Sequence, residues 1–251
     1  MIPRADITIS SELPTQATYW IPDEEDMSEE GIGFFRDTWL IRDVEHEVAA
    51  KIAADERRIS HIVNRLATDV QSFDQLARAV ESAEPEELPP DLPDGPELEE
   101  LKDLVNDDFS PLEGLDLGVA GLVFALASIG CIPAASCRGH AGSLSWAEYP
   151  VVFMATDRTY AQRLEPLVDR AGCGFAIDDY RPNLLMIYGA SIEDTISLAA
   201  FILDDVEGPL ADSKVDRMHS HEVKHAECDG QLPLFDDAAC PESDSARRSD
   251  G

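Results

Sequence analysis

Ser136-Cys137-Arg138-Gly139-His140 is the stretch of this chain best equipped for chemistry. It sets a thiol and an imidazole three positions apart across a glycine that permits a tight turn, and such a pair can work in two ways. In the first, His140 accepts the Cys137 proton or sits beside the thiolate as a cation. Cys137 then attacks an electrophile and Arg138 stabilises the negative charge that develops. Cys137, Arg138 and His140 are the catalytic candidates, with Ser136 or Trp146 lining a pocket. In the second, Cys137 and His140 are two ligands of a zinc ion, which needs further ligands from elsewhere. The segment His219 to Cys228 offers His221 and His225 at i and i+4, without the glutamate of a His-Glu-x-x-His signature. A third reading is structural: a cysteine at a strand end is a small buried apolar side chain, and Arg-Gly is common turn chemistry. The motif alone leaves all three open.

The elements around the motif are well patterned. Residues 117–129 read as a helix, 132–137 and 149–155 as strands, 157–171 as a helix, 173–178 and 183–188 as strands, and 192–204 as a helix. Gly172 stops the second helix, and Ser191-x-x-Asp194 caps the third. Two strands between each pair of helices predict an α+β class with αββαββα order. Leu117 to Cys137 carries no charge over about the length of a membrane span. Gly130 and Pro133 divide that run, and no basic or aromatic anchors flank it, so we expect a buried helix feeding a buried strand and no membrane partner.

Upstream, Ile41, Val44, Val48, Ile52, Ile59, Ile62, Val63, Leu66 and Val70 recur at helical spacing, and Ser72-x-x-Gln75 offers a capping box for a second helix carrying Phe73, Leu76, Ala77 and Val80. A helical hairpin is expected, whose apolar stripe would also serve a homodimer. The expected organisation is an acidic, largely disordered segment over 1–33, a helical region over 34–84, an acidic proline-rich linker over 85–114 with a short helix from Glu97, the α+β module over 115–205, and a mobile acidic tail over 206–251.

The formal charge of −32 is unevenly spread. Residues 115–203 hold nine acidic residues against five arginines, so most of the excess lies in the flanks. Direct binding to a nucleic-acid backbone is disfavoured, because phosphate contacts require clustered cations, and a basic protein is the better partner. One further reading is an acidic mimic that blocks a basic DNA-binding protein. Five cysteines, an odd number, together with the lack of an apolar core in the first residues, point to a reducing cytoplasm.

The order Ser136-Cys137-Arg138-Gly139-His140, after a helix and strand and before the strand Tyr149-Pro150-Val151-Val152-Phe153, resembles a group of small, largely uncharacterised bacterial proteins bearing a Ser-Cys-Glu/Arg-Gly-His motif. More remotely, Ala135-Ser136-Cys137-Arg138-Gly139 is similar to the Ser-Ser-Cys-Ser-Gly-Arg segment of the wybutosine-synthesis methyltransferase-like family. This chain has His140 where that family has arginine. The likeness spans residues 115–203, and its specific part is five residues. The first resemblance implies no reaction.

Gln231-Leu232-Pro233-Leu234-Phe235 resembles the Gln-Leu-x-Leu-Phe peptide with which bacterial replication and repair proteins bind the sliding clamp. An apolar island between acidic segments suits insertion into a groove, with Gln231, Leu232, Leu234 and Phe235 as the contact residues. The expected class is therefore a cytoplasmic binding or regulatory protein of bacterial or phage type that engages a protein partner. The competing class is an enzyme or metal-binding protein built on Cys137, Arg138 and His140.

Overall fold

A computed structural model describes residues 2–22, 41–84, 88–90, 92–105, 110–140, 147–178 and 181–205. The chain divides into one unit spanning Met1–Lys214 and a second spanning Val215–Gly251, and the described residues all belong to the first. The expected tail contacts Gln231, Leu232, Leu234 and Phe235, and the ligand candidates His221 and His225, lie outside the described residues, as does Trp146.

The architecture is α+β, as the pattern predicts. Helices α1 (His46–Leu66), α2 (Val70–Ser82) and α3 (Pro96–Val105) precede α4 (Ala120–Ser128), β1 (Ile132–Cys137), β2 (Val151–Ala155), α5 (Arg158–Ala171), β3 (Cys173–Asp178), β4 (Arg181–Gly189) and α6 (Ile192–Asp204). The strands form one antiparallel sheet in the order β1-β2-β4-β3. No helix among the described residues is long and apolar enough to cross a membrane. All nine residues of α4 are buried, which is what an apolar run with no polar face requires in a globular core.

Both faces of the sheet are apolar, with period two. On β2 and β4, Val152, Met154, Leu185 and Ile187 enter the helical core, while Val151, Phe153, Leu184 and Tyr188 build a second cluster on the opposite face. That second face is closed by the N-terminal arm, whose Ile7, Ile9, Trp20 and Ile21 pack on it. The arm is tied by Ala5 N–H to Ala190 O (2.7 Å), by Phe175 N–H to Ser10 O (2.7 Å) at the β3 edge, and by a bridge between Trp20 and Thr156. The expectation of a largely disordered 1–33 is corrected for residues 2–22. Short alternation such as Ile7-Thr8-Ile9-Ser10 reads as polar, yet it offers every second side chain to an apolar surface that only the folded sheet creates.

A second correction concerns the division at residue 85. Ile52, Ile59, Val63, Phe73, Leu76, Val80, Leu101 and Val105 share one cluster with Leu122, Leu126, Leu164, Ile196 and Ile202. The helical region and the module therefore have a common core. Helix α1 packs more extensively on α4 than on α2.

The turn between α1 and α2 also differs in detail. Asp69, not Ser72, is the N-cap: its Oδ1 accepts the Ser72 N–H at 2.7 Å, and the Ser72 Oγ accepts the Asp69 N–H at 3.0 Å. The box sits one turn earlier than Ser72-x-x-Gln75 would place it, because Asp is as good a cap as Ser and the chain has already turned at Thr68. The Ser191/Asp194 box of α6 and the left-handed Gly172 after α5 are as expected.

Candidate metal and charge centre at the end of strand β1

The motif leaves β1 through a left-handed turn. Gly139 has φ +77°, and a Cβ there would meet the backbone of Tyr149 at 2.6 Å, so glycine is required twice over. The turn sets the Gly139 N–H 3.4 Å from the Cys137 sulfur and swings His140 back over the strand end.

Arg138 is the hub. It is 3 % exposed, and its guanidinium donates Nε–H to Glu81 Oε1 (2.8 Å), an Nη2–H to Glu81 Oε2 (3.1 Å) and an Nη1–H to Asp74 Oδ1 (2.7 Å). Nη2 also lies 2.8 Å from His140 Nδ1, and the Arg138 backbone N–H donates to Asp116 Oδ2 at 3.0 Å. Asp74 and Glu81 stand seven residues apart on α2, two turns along one face, and Arg78 holds the other Asp74 oxygen at 2.9 Å. Glu81 Oε1 additionally accepts the Leu117 N–H at 2.8 Å, joining α2 to the turn before α4. The anion-stabilising role expected of Arg138 therefore meets a guanidinium whose fork is engaged within the protein. Arg138 is a positioning residue that fixes His140 and the start of α4 against α2.

His140 Nε2 lies 3.0 Å from Asp116 Oδ2. Asp116, Cys137 and His140 each bring one donor atom to a common point, all within 4.8 Å of one another. Asp116 comes from the turn before α4, Cys137 from the last position of β1 and His140 from the turn beyond it. Burial pushes against ionisation of Asp116, but the hydrogen bonds from His140 and the Arg138 backbone outweigh it and hold its carboxyl below the usual range. Hydrogen bonds to Asp116 and Cys137 push His140 up to about 10, against burial and the Arg138 charge. That direction and the 2.8 Å approach of Arg138 pull apart, since a guanidinium N–H needs an unprotonated Nδ1. The upward direction rests on the carboxylates beside the ring, Asp116 Oδ2 at 3.0 Å from Nε2 and Asp74 Oδ1 at 3.6 Å from Nδ1.

A second buried carboxylate lies on the neighbouring helix. Glu56 on α1 is fully buried, and its two oxygens accept the N–H groups of Gly118 (2.8 Å) and Gly121 (3.1 Å) at the start of α4. Burial pushes it up to about 7, against the pull of those backbone donors and that of Ala120. A Cβ on Gly121 would meet Glu56 Oε2 at 2.6 Å and Ala53 Cα at 3.0 Å, so this glycine is what lets α1 and α4 approach.

Of the expected site residues, the structure brings Cys137 and His140 together and turns Arg138 inward. Reasoning from the motif did not reach Asp116, Asp74, Glu81 or Glu56. Two signals were present: Asp116 is the last acidic residue before Glu148, and Glu56 occupies an apolar position four residues after Ile52 and three before Ile59. No family model, curated protein or solved structure matches the chain.

Proposed function

We propose that this is a metal-binding protein in which Asp116, Cys137 and His140 hold a divalent cation of the zinc class, with a fourth position left to water or another donor. The observation that carries this reading is the convergence of a carboxylate from the turn before α4 with the thiol and imidazole at the end of β1, all within 4.8 Å. Tetrahedral zinc with ordinary bond lengths spaces its ligands about 3.3–3.6 Å apart, so the donors need close by only about 1 Å. The cation would replace the proton that His140 shares with Asp116, and it would bind the thiolate form of Cys137. Among the described residues Cys131, Cys137 and Cys173 form no disulfide, which fits a site in a reducing compartment.

The test is elemental mass spectrometry of the purified protein after exposure to zinc and gel filtration. Stoichiometric zinc in the parent and in Cys173→Ser, lost in Cys137→Ser, His140→Ala and Asp116→Asn variants that keep the parent's far-ultraviolet spectrum, supports the reading. Zinc retained in all three ligand variants, or absent from the parent, overturns it.

A second reading rests on Gln231 to Phe235, whose order of glutamine, leucines and phenylalanine favours a sliding-clamp groove. Leu234→Ala with Phe235→Ala should abolish capture by purified clamp and leave thermal unfolding unchanged; undiminished capture would remove it.

A further inference from the structure

Helix α1 carries Arg57, Arg58, His61 and Arg65 on one exposed face, in a chain whose formal charge is −32. From Arg57 to Arg65 this row runs about 12 Å along the helix. It lines a groove of about 480 Å³ together with Ala54 and Ile62 of α1 and Glu97 and Glu100 of α3.

The cis contact on one flank shows what this face recognises. Helix α3 buries Leu98, Leu101 and Val105 and presents Glu97 to Arg65 and Glu100 to Arg58. It is an acidic amphipathic helix laid along α1. Arg57 and His61, i and i+4 on the same row, make no ion pair among the described residues, and Ala54 beside them is exposed. The remaining flank offers the same combination on a smaller scale: Arg57, with the imidazole of His61 one turn on, beside the exposed Ala54.

We propose that the α1 groove docks a second acidic amphipathic helix, supplied by a partner protein, in the mode that α3 shows in cis. The carboxylates of that helix meet Arg57 and His61, and its apolar side covers Ala54 and Ile62. The α3 helix of a second copy cannot take this place, because its own apolar side is already buried. The overall negative charge does not forbid the encounter, since at physiological ionic strength charges beyond about 8 Å are largely screened, and Arg57 makes no ion pair among the described residues while Arg58 and Arg65 face Glu100 and Glu97.

The probe is a capped synthetic peptide carrying the α3 sequence, residues 96–105, titrated into the full chain while the amide signals of α1 are followed by NMR. We expect saturable shifts along 54–65. Binding should weaken roughly tenfold in Arg57→Ser with His61→Ser, two exposed positions whose replacement leaves thermal unfolding unchanged. It should tighten in Glu97→Gln with Glu100→Gln, which frees Arg65 and Arg58. No shifts at millimolar peptide, equal binding of a peptide with glutamine for every glutamate, or binding that ignores the Arg57/His61 change would overturn the proposal. A dimer in sedimentation that dissolves in the Arg57/His61 variant would overturn it in favour of a second copy.

Discussion

Glu56 makes a prediction whose size and sign both follow from its surroundings. It is fully buried, no cation is among its hydrogen-bond partners in the described structure, and burial raises it from 4.5 to about 7. An acid whose folded value lies above its unfolded value binds a proton more tightly when folded. Its stabilising contribution is therefore complete below pH 4.5 and is lost as pH rises through about 7. A difference of this size corresponds to about 3 kcal/mol of unfolding free energy between pH 4.5 and 8. Repulsion within a chain of charge −32 and the titration of exposed carboxylates also change with pH, so the parent alone cannot isolate the effect. Glu56→Gln has nearly the same shape and no titration, and subtracting it removes the shared background. The assay is urea unfolding of both proteins at half-unit steps from pH 4.5 to 8, with linear extrapolation. The parent should lose about 3 kcal/mol relative to Glu56→Gln across that window. A parent-minus-variant difference that stays flat would refute the argument, and would mean that the Gly118 and Gly121 N–H groups hold the carboxylate ionised throughout.

Other outcomes follow from the same contacts. Arg138→Met should cost about 3–5 kcal/mol in urea unfolding, because it leaves Asp74 and Glu81 without their shared cation; a loss under 1 kcal/mol would show that the two carboxylates find other partners. Gly139→Ala forces a side chain into the Tyr149 backbone at positive φ, and a protein that expresses, folds and melts like the parent would contradict the turn described. Asp69→Ala should lower the melting temperature while Gln75→Ala leaves it unchanged, the reverse pattern pointing back to a cap at Ser72. Deleting residues 2–22 should expose the second sheet face and raise binding of a hydrophobic dye, whereas unchanged dye binding would mean that the arm covers little.

Most elements from residue 117 onward were legible because their information is local. β1 and β3 fall on their expected residues, α5 and α6 begin within one residue of expectation, and β4 is longer by two residues at its start and one at its end. The turn through Gly139 was legible for the same reason. The arm was not, since its alternating isoleucines gain meaning only from the sheet face they cover.

The sequence by itself determined the order of helices and strands, the α+β class and the presence of a thiol–imidazole pair at the end of β1, because periodicity, caps and glycines act within a few residues of one another. Tertiary structure alone decided what that pair would face. Arg138 meets Glu81 and Asp74 across 57 and 64 residues of chain, Glu56 meets Gly118 across 62, and His140 meets Asp116 across 24. Among 51 acidic residues, local sequence gives a signal for Glu56 and Asp116 but none for Asp74 or Glu81, and for none of the four does it name the partner. They are singled out by placement, Glu56 and Asp74 buried and Glu81 and Asp116 partly so: away from water a charge is tolerated only where hydrogen-bonding partners are already placed, and that condition exists only once α1, α2 and α4 have packed together.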